Sequence, residues 1–257
     1  MLNFRKFTLI CIVIEAGCVL SALFFEISVF WVFLIFSIWF FGIIAGSFSM
    51  SWNFHLSAYT HNSSPANKVV AITFDDGPHP EYTPVVLKLL SDFNATATFF
   101  CIGNRVEEYP EVLKSIVAKG HEIGNHSYSH SPFIDFKGQN SWEAEINKTD
   151  AIIEQHTGHR PSLFRPPYGV TTPPLSNVIK KSSHRVIGWS VRSFDTVIKN
   201  PNFLLKRITK KINAGDIILL HDTHKNIPFV LEHLLLFLSE KGYKTVSITQ
   251  LHNDKSS

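Results

Sequence analysis

The run Val69-Val70-Ala71-Ile72-Thr73-Phe74-Asp75-Asp76-Gly77-Pro78-His79 passes from unbroken apolar residues into two adjacent carboxylates and a Gly-Pro turn. Its first half predicts a buried strand, and Gly77-Pro78 predicts a turn at the strand end. Adjacent carboxylates there repel each other and lose hydration, unless a cation or a shared proton relieves them. An Asp-Asp turn can equally be a solvated one. The pair gains meaning only from what stands at the ends of the other strands.

Beyond this run, strand-like and helix-like patterns alternate. Strands are predicted at 69–74, 96–102, 122–125, 163–165, 185–190, 216–221 and 244–248. Helices are predicted near 83–92, 110–118, 142–156, 175–181, 202–213 and 228–241. Gly120 and Gly242 supply C-caps for two of them. Repeated strand–helix units of this kind predict an irregular (β/α) barrel of about seven parallel strands. Such barrels carry their chemistry at the C-terminal ends of the strands.

The third strand is followed by Asn125-His126-Ser127-Tyr128-Ser129-His130. Two histidines at i and i+4, one helical turn apart, can converge on one cation. With a strand-end carboxylate they leave an open position for water, as catalytic rather than structural metal sites do. The fourth strand ends in Arg165-Pro166-Pro167-Tyr168-Gly169. Two prolines stiffen the backbone and remove two donors, which leaves the Tyr168 N–H as a candidate oxyanion donor. Arg165 can hold a carboxylate through two hydrogen bonds. The run 217–220 ends in His221, a candidate acid or base, with Leu219 on the same strand face. His156, His159, His233 and His252 are expected to be solvated.

Together these blocks, over residues 69–248, resemble the NodB-type polysaccharide deacetylases of carbohydrate esterase family 4. Thr73-Phe74-Asp75-Asp76-Gly77 and His126-Ser127-Tyr128-Ser129-His130 match the first two motifs. The family's Arg-x-x-Pro-Tyr is met by Arg165-Pro166-Pro167-Tyr168, with Pro167 and Tyr168 one place early, and Leu-x-Leu-His by Ile218-Leu219-Leu220-His221. The resemblance implies Asp75 as general base and Asp76, His126 and His130 as ligands of one divalent ion, zinc first and cobalt, nickel or manganese next. It implies that Arg165 orients Asp75, that His221 protonates the leaving amine, and that Asp195 tethers His221. The fourth motif departs from the pattern: Arg192 replaces an acidic residue and Thr196 stands where a groove-lining Trp is usual. Trp189, Phe194, Leu219 and Pro167 are the expected substrate contacts.

The first fifty residues are a different material. An apolar segment at 7–25 carries only Glu15, and a second at 27–48 carries no charge. A span needs about 20 apolar residues, so residues 1–50 are expected to form a membrane anchor, a transmembrane segment or helical hairpin meeting the bilayer through residues 7–48. Residues 51–67 are expected as a polar linker, 68–250 as the catalytic domain and 251–257 as a tail. Arg5 and Lys6 are the only basic residues before Lys68, so the charge bias on orientation is two residues strong. The catalytic domain is expected outside the cytoplasm, where a polymeric glycan would be.

A net charge of +3 over 257 residues, with no basic stripe, argues against nucleic acid. Nothing points to a protein partner, and three cysteines give no disulfide framework. The implied activity is metal-dependent removal of N-acetyl groups from an aminosugar glycan, peptidoglycan-like or chitin-like. Two alternatives stand beside it: a deacylase or deformylase of a lipid-linked aminosugar, and an inactive glycan-binding membrane protein.

Overall fold

A computed structural model describes residues 2–25 and 28–255. Two helices, α1 (Phe4–Phe24) and α2 (Phe30–Ser47), precede a strand–helix series. The first half of the series is β1 (Val69–Gly77), α3 (Tyr82–Asp92), β2 (Ala97–Cys101), α4 (Gly103–Glu108), α5 (Pro110–Ala118), β3 (Glu122–Asn125), α6 (Gln139–Thr157) and β4 (Leu163–Phe164). The second half is α7 (Pro173–Ile179), β5 (Arg185–Val186), β6 (Val191–Arg192), α8 (Pro201–Thr209), β7 (Ile217–His221), α9 (Ile227–Glu240), β8 (Lys244–Thr245) and α10 (Ile248–Asn253).

Neighbouring strands run parallel in the order β5-β4-β3-β2-β1-β7-β6, and β8 joins the start of β1. This is the expected parallel (β/α) sheet, curled into an incomplete barrel. Of the single strand expected over 185–190 only Arg185–Val186 forms β5; the chain then changes partner at Gly188-Trp189 and pairs with β7 as β6, beyond the expected range. As the C-caps predict, Gly120 and Gly242 follow α5 and α9 with φ of +78° and +72°.

Strand parity sets what faces inward. Val70, Ile72 and Phe74 of β1 pack with Val86, Leu90, Leu231 and Leu234 beneath the outer helices. Val69 and Ala71 face the barrel interior with Phe100, Leu163 and Ile217, where Ile248 and Leu251 of α10 plug the base. Thr73 and Asp75 share the parity of Ala71 and therefore point inward as well. Ile217, Leu219 and His221 form the matching inward row on β7.

The expected polar linker is built into the barrel. Tyr59 bridges to Ile187 and His61 to Asp216, so the chain fills the gap between β5 and β7. Buried Asn62 donates to the Leu251 carbonyl at 3.0 Å. Backbone pairing across an open sheet edge overrides the loop-like composition of this segment.

The N-terminal helices pack antiparallel. Phe7 of α1 lies where a Cβ on Gly42 of α2 would stand, and the Trp39 indole N–H donates to Thr8 at 3.3 Å. The Phe4 N–H donates to the Phe54 carbonyl at 2.9 Å. Both helices are long and apolar enough to cross a membrane, yet within them only Cys11 and Gly46 are buried.

Candidate active site

Asp75 ends the inward row of β1 and meets Arg165, which is wholly buried. The guanidinium donates to Asp75 Oδ1 at 2.6 Å, to Thr73 Oγ1 at 2.8 Å, and to the carbonyls of Ile187 and Gly188 at 3.2 and 2.9 Å. It also lies 4.1 Å from the centre of the Phe100 ring. Four acceptors, one of them a carboxylate, offset the burial of this charge, as a buried ion needs. Asp75 Oδ2 is left facing the cavity, 3.8 Å from His126 Nε2.

Parity alone would send Asp76 outward under the helices. It does not go there. Its φ of +70° and a register break against β2 between Asp75 and Gly77 turn its carboxylate into the barrel mouth. Asp76 Oδ1 lies 3.4 Å from His126 Nε2 and 3.2 Å from His130 Nε2. The two histidines converge through a turn with positive φ at Ser127 and His130, not through the helical turn that the i, i+4 spacing suggested.

The trio fits a divalent ion. One ligand atom from each of Asp76, His126 and His130 lies within 4.8 Å of the others, and Asp76 Oδ1 is buried without a hydrogen-bond partner. His126 Nδ1 lies 2.8 Å from the Arg165 carbonyl, so Nδ1 carries the proton and the Nε2 lone pair faces the carboxylate. Burial pulls the His130 imidazole down to about 4, aided by its neighbour His126, which keeps it a neutral ligand.

Opposite this trio, His221 Nδ1 lies 2.7 Å from Asp195 Oδ1, and the His221 N–H donates to Oδ2 at 2.7 Å. Burial alone would lower the His221 imidazole, but the Asp195 carboxylate outweighs it and lifts it to about 9. Burial raises Asp195; its bonds to His221, His224 and Ser193 reverse this and hold it well below the usual carboxylate range. His221 Nε2 faces Asp76 Oδ2 at 4.0 Å across the cavity.

The cavity between them has a volume of about 380 Å³, and Tyr168, Trp189, Phe194, Thr196 and Leu219 form part of its wall. Seven described non-glycine residues have positive φ, and five of them (Asp76, Ser127, His130, Tyr168, Phe194) stand around this mouth. Such a concentration of unusual backbone marks a site that the surroundings hold in place. Among the described residues no acceptor takes the Tyr168 N–H. Gly169 is required beside it: its φ is +71°, and a Cβ there would lie 2.3 Å from the Trp189 ring. Pro167, an expected substrate contact, is buried under this turn and does not line the cavity, because the turn presents Tyr168 and Gly169 instead.

Sequence reasoning missed three neighbours. His224 Nε2 lies 3.1 Å from Asp195 Oδ2, so the tether is shared by two histidines; the i, i+3 spacing from His221 was the available signal. Asp222 is fully buried, accepts from Thr83, and is raised by burial to about 7. Asn125 binds the Ser127 N–H at 2.8 Å and donates to Asp150 at 2.7 Å, which anchors the His126 turn. Asp150 in turn meets Arg160 at 2.9 Å and His184 at 3.2 Å. Asp150→Ala removes the buried carboxylate shared by Asn125, His184 and Arg160, so an unfolding titration should register a loss of about 3–5 kcal/mol.

Residues 62–187 match the polysaccharide deacetylase family. The chain is 36% identical over 191 residues to the peptidoglycan-N-acetylmuramic acid deacetylase PdaC of Bacillus subtilis, covering 74% of this chain and 40% of that one. It thus spans less than half the length of this relative. It is 35% identical to a peptidoglycan-N-acetylglucosamine deacetylase of Bacillus cereus, covering 72% of this chain and 88% of that one. A family 4 acetyl xylan esterase from Clostridium thermocellum, solved with a cobalt ion, superposes with a TM-score of 0.67 at 32% identity, over 72% of this chain and 91% of its own. The motifs, the fold and these relatives agree: the chain belongs to the NodB-type polysaccharide deacetylases, carbohydrate esterase family 4.

Proposed function

We propose that this protein is a metal-dependent N-deacetylase of N-acetylated aminosugar glycans, held in a membrane by its N-terminal helices. The observation that carries the reading is the joint presence, around one cavity, of a carboxylate fixed by Arg165, a convergent Asp–His–His trio and a His–Asp pair. A divalent ion on Asp76, His126 and His130, for which zinc suits the borderline N/O ligands, would supply Lewis acidity and lower the pKa of a nearby water.

Each protein group then has one task. Asp75 takes a proton at Oδ2 as water adds to the acetamide carbon. The Tyr168 N–H faces the developing oxyanion. His221, charged at neutral pH, gives its Nε2 proton to the departing nitrogen as the C–N bond breaks, while Asp195 holds Nδ1. Acetate and a free amine are the products. Trp189, Phe194 and Leu219 offer the apolar wall for the sugar ring. Incubation with chito-oligosaccharides and peptidoglycan fragments should yield acetate and new primary amine in equal amounts. Absence of both across the panel would refute the reading.

Membrane attachment rests on the exposed apolar surface of α1 and α2, which water would not tolerate. At 1.5 Å per residue the helices are about 27–32 Å long, the thickness of a hydrocarbon core. Their antiparallel packing, together with the Phe4–Phe54 bond, keeps Arg5, Lys6 and the barrel on one side. With both helices spanning, a barrel outside the cytoplasm places Arg5 and Lys6 outside with it, against a charge bias only two residues strong. The barrel should be digested by protease added to intact spheroplasts. Full protection there, with digestion only after lysis, would place it in the cytoplasm.

A further inference from the structure

The anchor is fastened to the wall of the active site. The carbonyl of Ser47, the last residue of α2, accepts from the Thr171 N–H at 2.9 Å, two residues beyond Gly169 in the cavity wall. Ser47 Oγ lies 3.0 Å from His55 Nε2, and the His55 carbonyl accepts from Ser176 at 2.7 Å. Met50 is buried in the cluster that includes Trp189, and a Cβ on Gly188 would meet it at 3.4 Å. Gly46 is closed against the Phe54 ring, 2.3 Å from a virtual Cβ. With these ties the barrel cannot swing freely on a tether; its mouth keeps a fixed distance from the bilayer end of α2.

Exposed aromatic side chains stand on both segments tied at this point. Phe48 and Trp52, just past α2, are 66% and 53% exposed. Phe133 and Phe136, in the loop after His130, are 67% and 86% exposed. That loop is tied to the fastening point, because Thr172 donates to Asp135 at 3.3 Å. Aromatic residues beside the end of an apolar helix match the composition of a membrane–water interface.

At the rim of the cavity stands an exposed cation. Arg192 lines the cavity, makes no ion pair among the described residues, and lies 5.4 Å and 4.7 Å from the ring centres of Trp189 and Phe194. A guanidinium stacked on aromatic rings and open to a sugar-sized cavity is suited to a phosphate or carboxylate on the substrate. An apolar rim at the bilayer would add nothing for a soluble acidic glycan. For a lipid-borne one it holds the mouth where the sugar emerges.

We propose that the substrate is an N-acetylated aminosugar joined through a phosphate to a membrane lipid. Its acetamide lies between Asp75 and His221, its phosphate at Arg192, and its lipid stays in the bilayer beside Phe133 and Phe136. This rests on the deacetylase reading of the same site and narrows its substrate class.

The test uses the full chain in lipid nanodiscs. Acetate release is compared between polyprenyl-phosphate-linked N-acetylglucosamine in the disc, a soluble chito-oligosaccharide, and a soluble muramic-acid fragment, at equal bulk concentration. The lipid-linked sugar should be turned over at least about tenfold faster than either. Phe133→Ser with Phe136→Ser should remove most of that advantage and leave the soluble chito-oligosaccharide rate within about twofold. Arg192→Gln should slow the lipid-linked reaction about tenfold, and Arg192→Lys should recover most of it. Independently, the fluorescence of Phe136→Trp should be quenched by brominated lipids. Equal or faster turnover of the soluble sugars, with an unquenched Trp, would overturn the lipid substrate while leaving the deacetylase standing. No acetate from any of the three would overturn the deacetylase reading and this inference with it.

Discussion

Asp75→Asn lowers kcat by about a hundred- to ten-thousand-fold, the range that a lost general base usually costs, while the protein keeps its fold and its metal. Asn is isosteric, and its carbonyl oxygen can still accept from Arg165, whose other contacts to Thr73, Ile187 and Gly188 do not involve Asp75. None of the three proposed ligand atoms belongs to Asp75. The substitution therefore removes a proton acceptor and little else. Steady-state acetate release and metal content measured on the same preparation check it. Near-normal turnover would make Asp75 a structural anchor for Arg165.

The second large effect is on pH. His221 must be protonated to serve as the acid, and its imidazole is lifted from its ordinary 6.5 to about 9, burial opposing and Asp195 prevailing. Activity should thus persist through neutral pH and fall only as pH rises through about 9. The same raised value makes the ion pair stabilising. For His221 that contribution is complete below 6.5 and lost as pH climbs through 9. For Asp195, whose value is depressed, it is present above the ordinary carboxylate range and lost in acid. Asp195→Asn removes the cause of the His221 shift, so the alkaline limb should move below neutrality, with maximal kcat down by about a hundredfold or more. A pH profile in which the limb stays near 9 in Asp195→Asn would exclude His221 as the acid.

The central strand was legible as a buried strand, but its apolar run does not alternate, so which face holds Ala71, Thr73 and Asp75 and which holds Ile72 and Phe74 came only with the structure. Leu219 beneath His221 on its strand was legible from parity. Asp76 was legible only as a neighbour of Asp75, since a left-handed backbone at one non-glycine residue leaves no periodic trace. The same limit applies to His126 and His130, where spacing suggested a helical turn and the chain makes a tighter one. The segment after the anchor has a loop's composition, yet edge pairing fixes Tyr59 and His61 in the barrel wall. Such long-range pairing has no local signal. His224 went unnoticed because a histidine three residues past a strand end resembles any solvated one until Asp195 is seen between it and His221.

The most direct test is a metal titration of turnover. Purified full-length protein, stripped with a chelator, should lose acetate release from an N-acetylated glycan and regain it at about one equivalent of zinc. His126→Ala should neither hold the zinc nor recover. Undiminished acetate release from metal-free protein, or stoichiometric zinc retained by His126→Ala, would contradict the account.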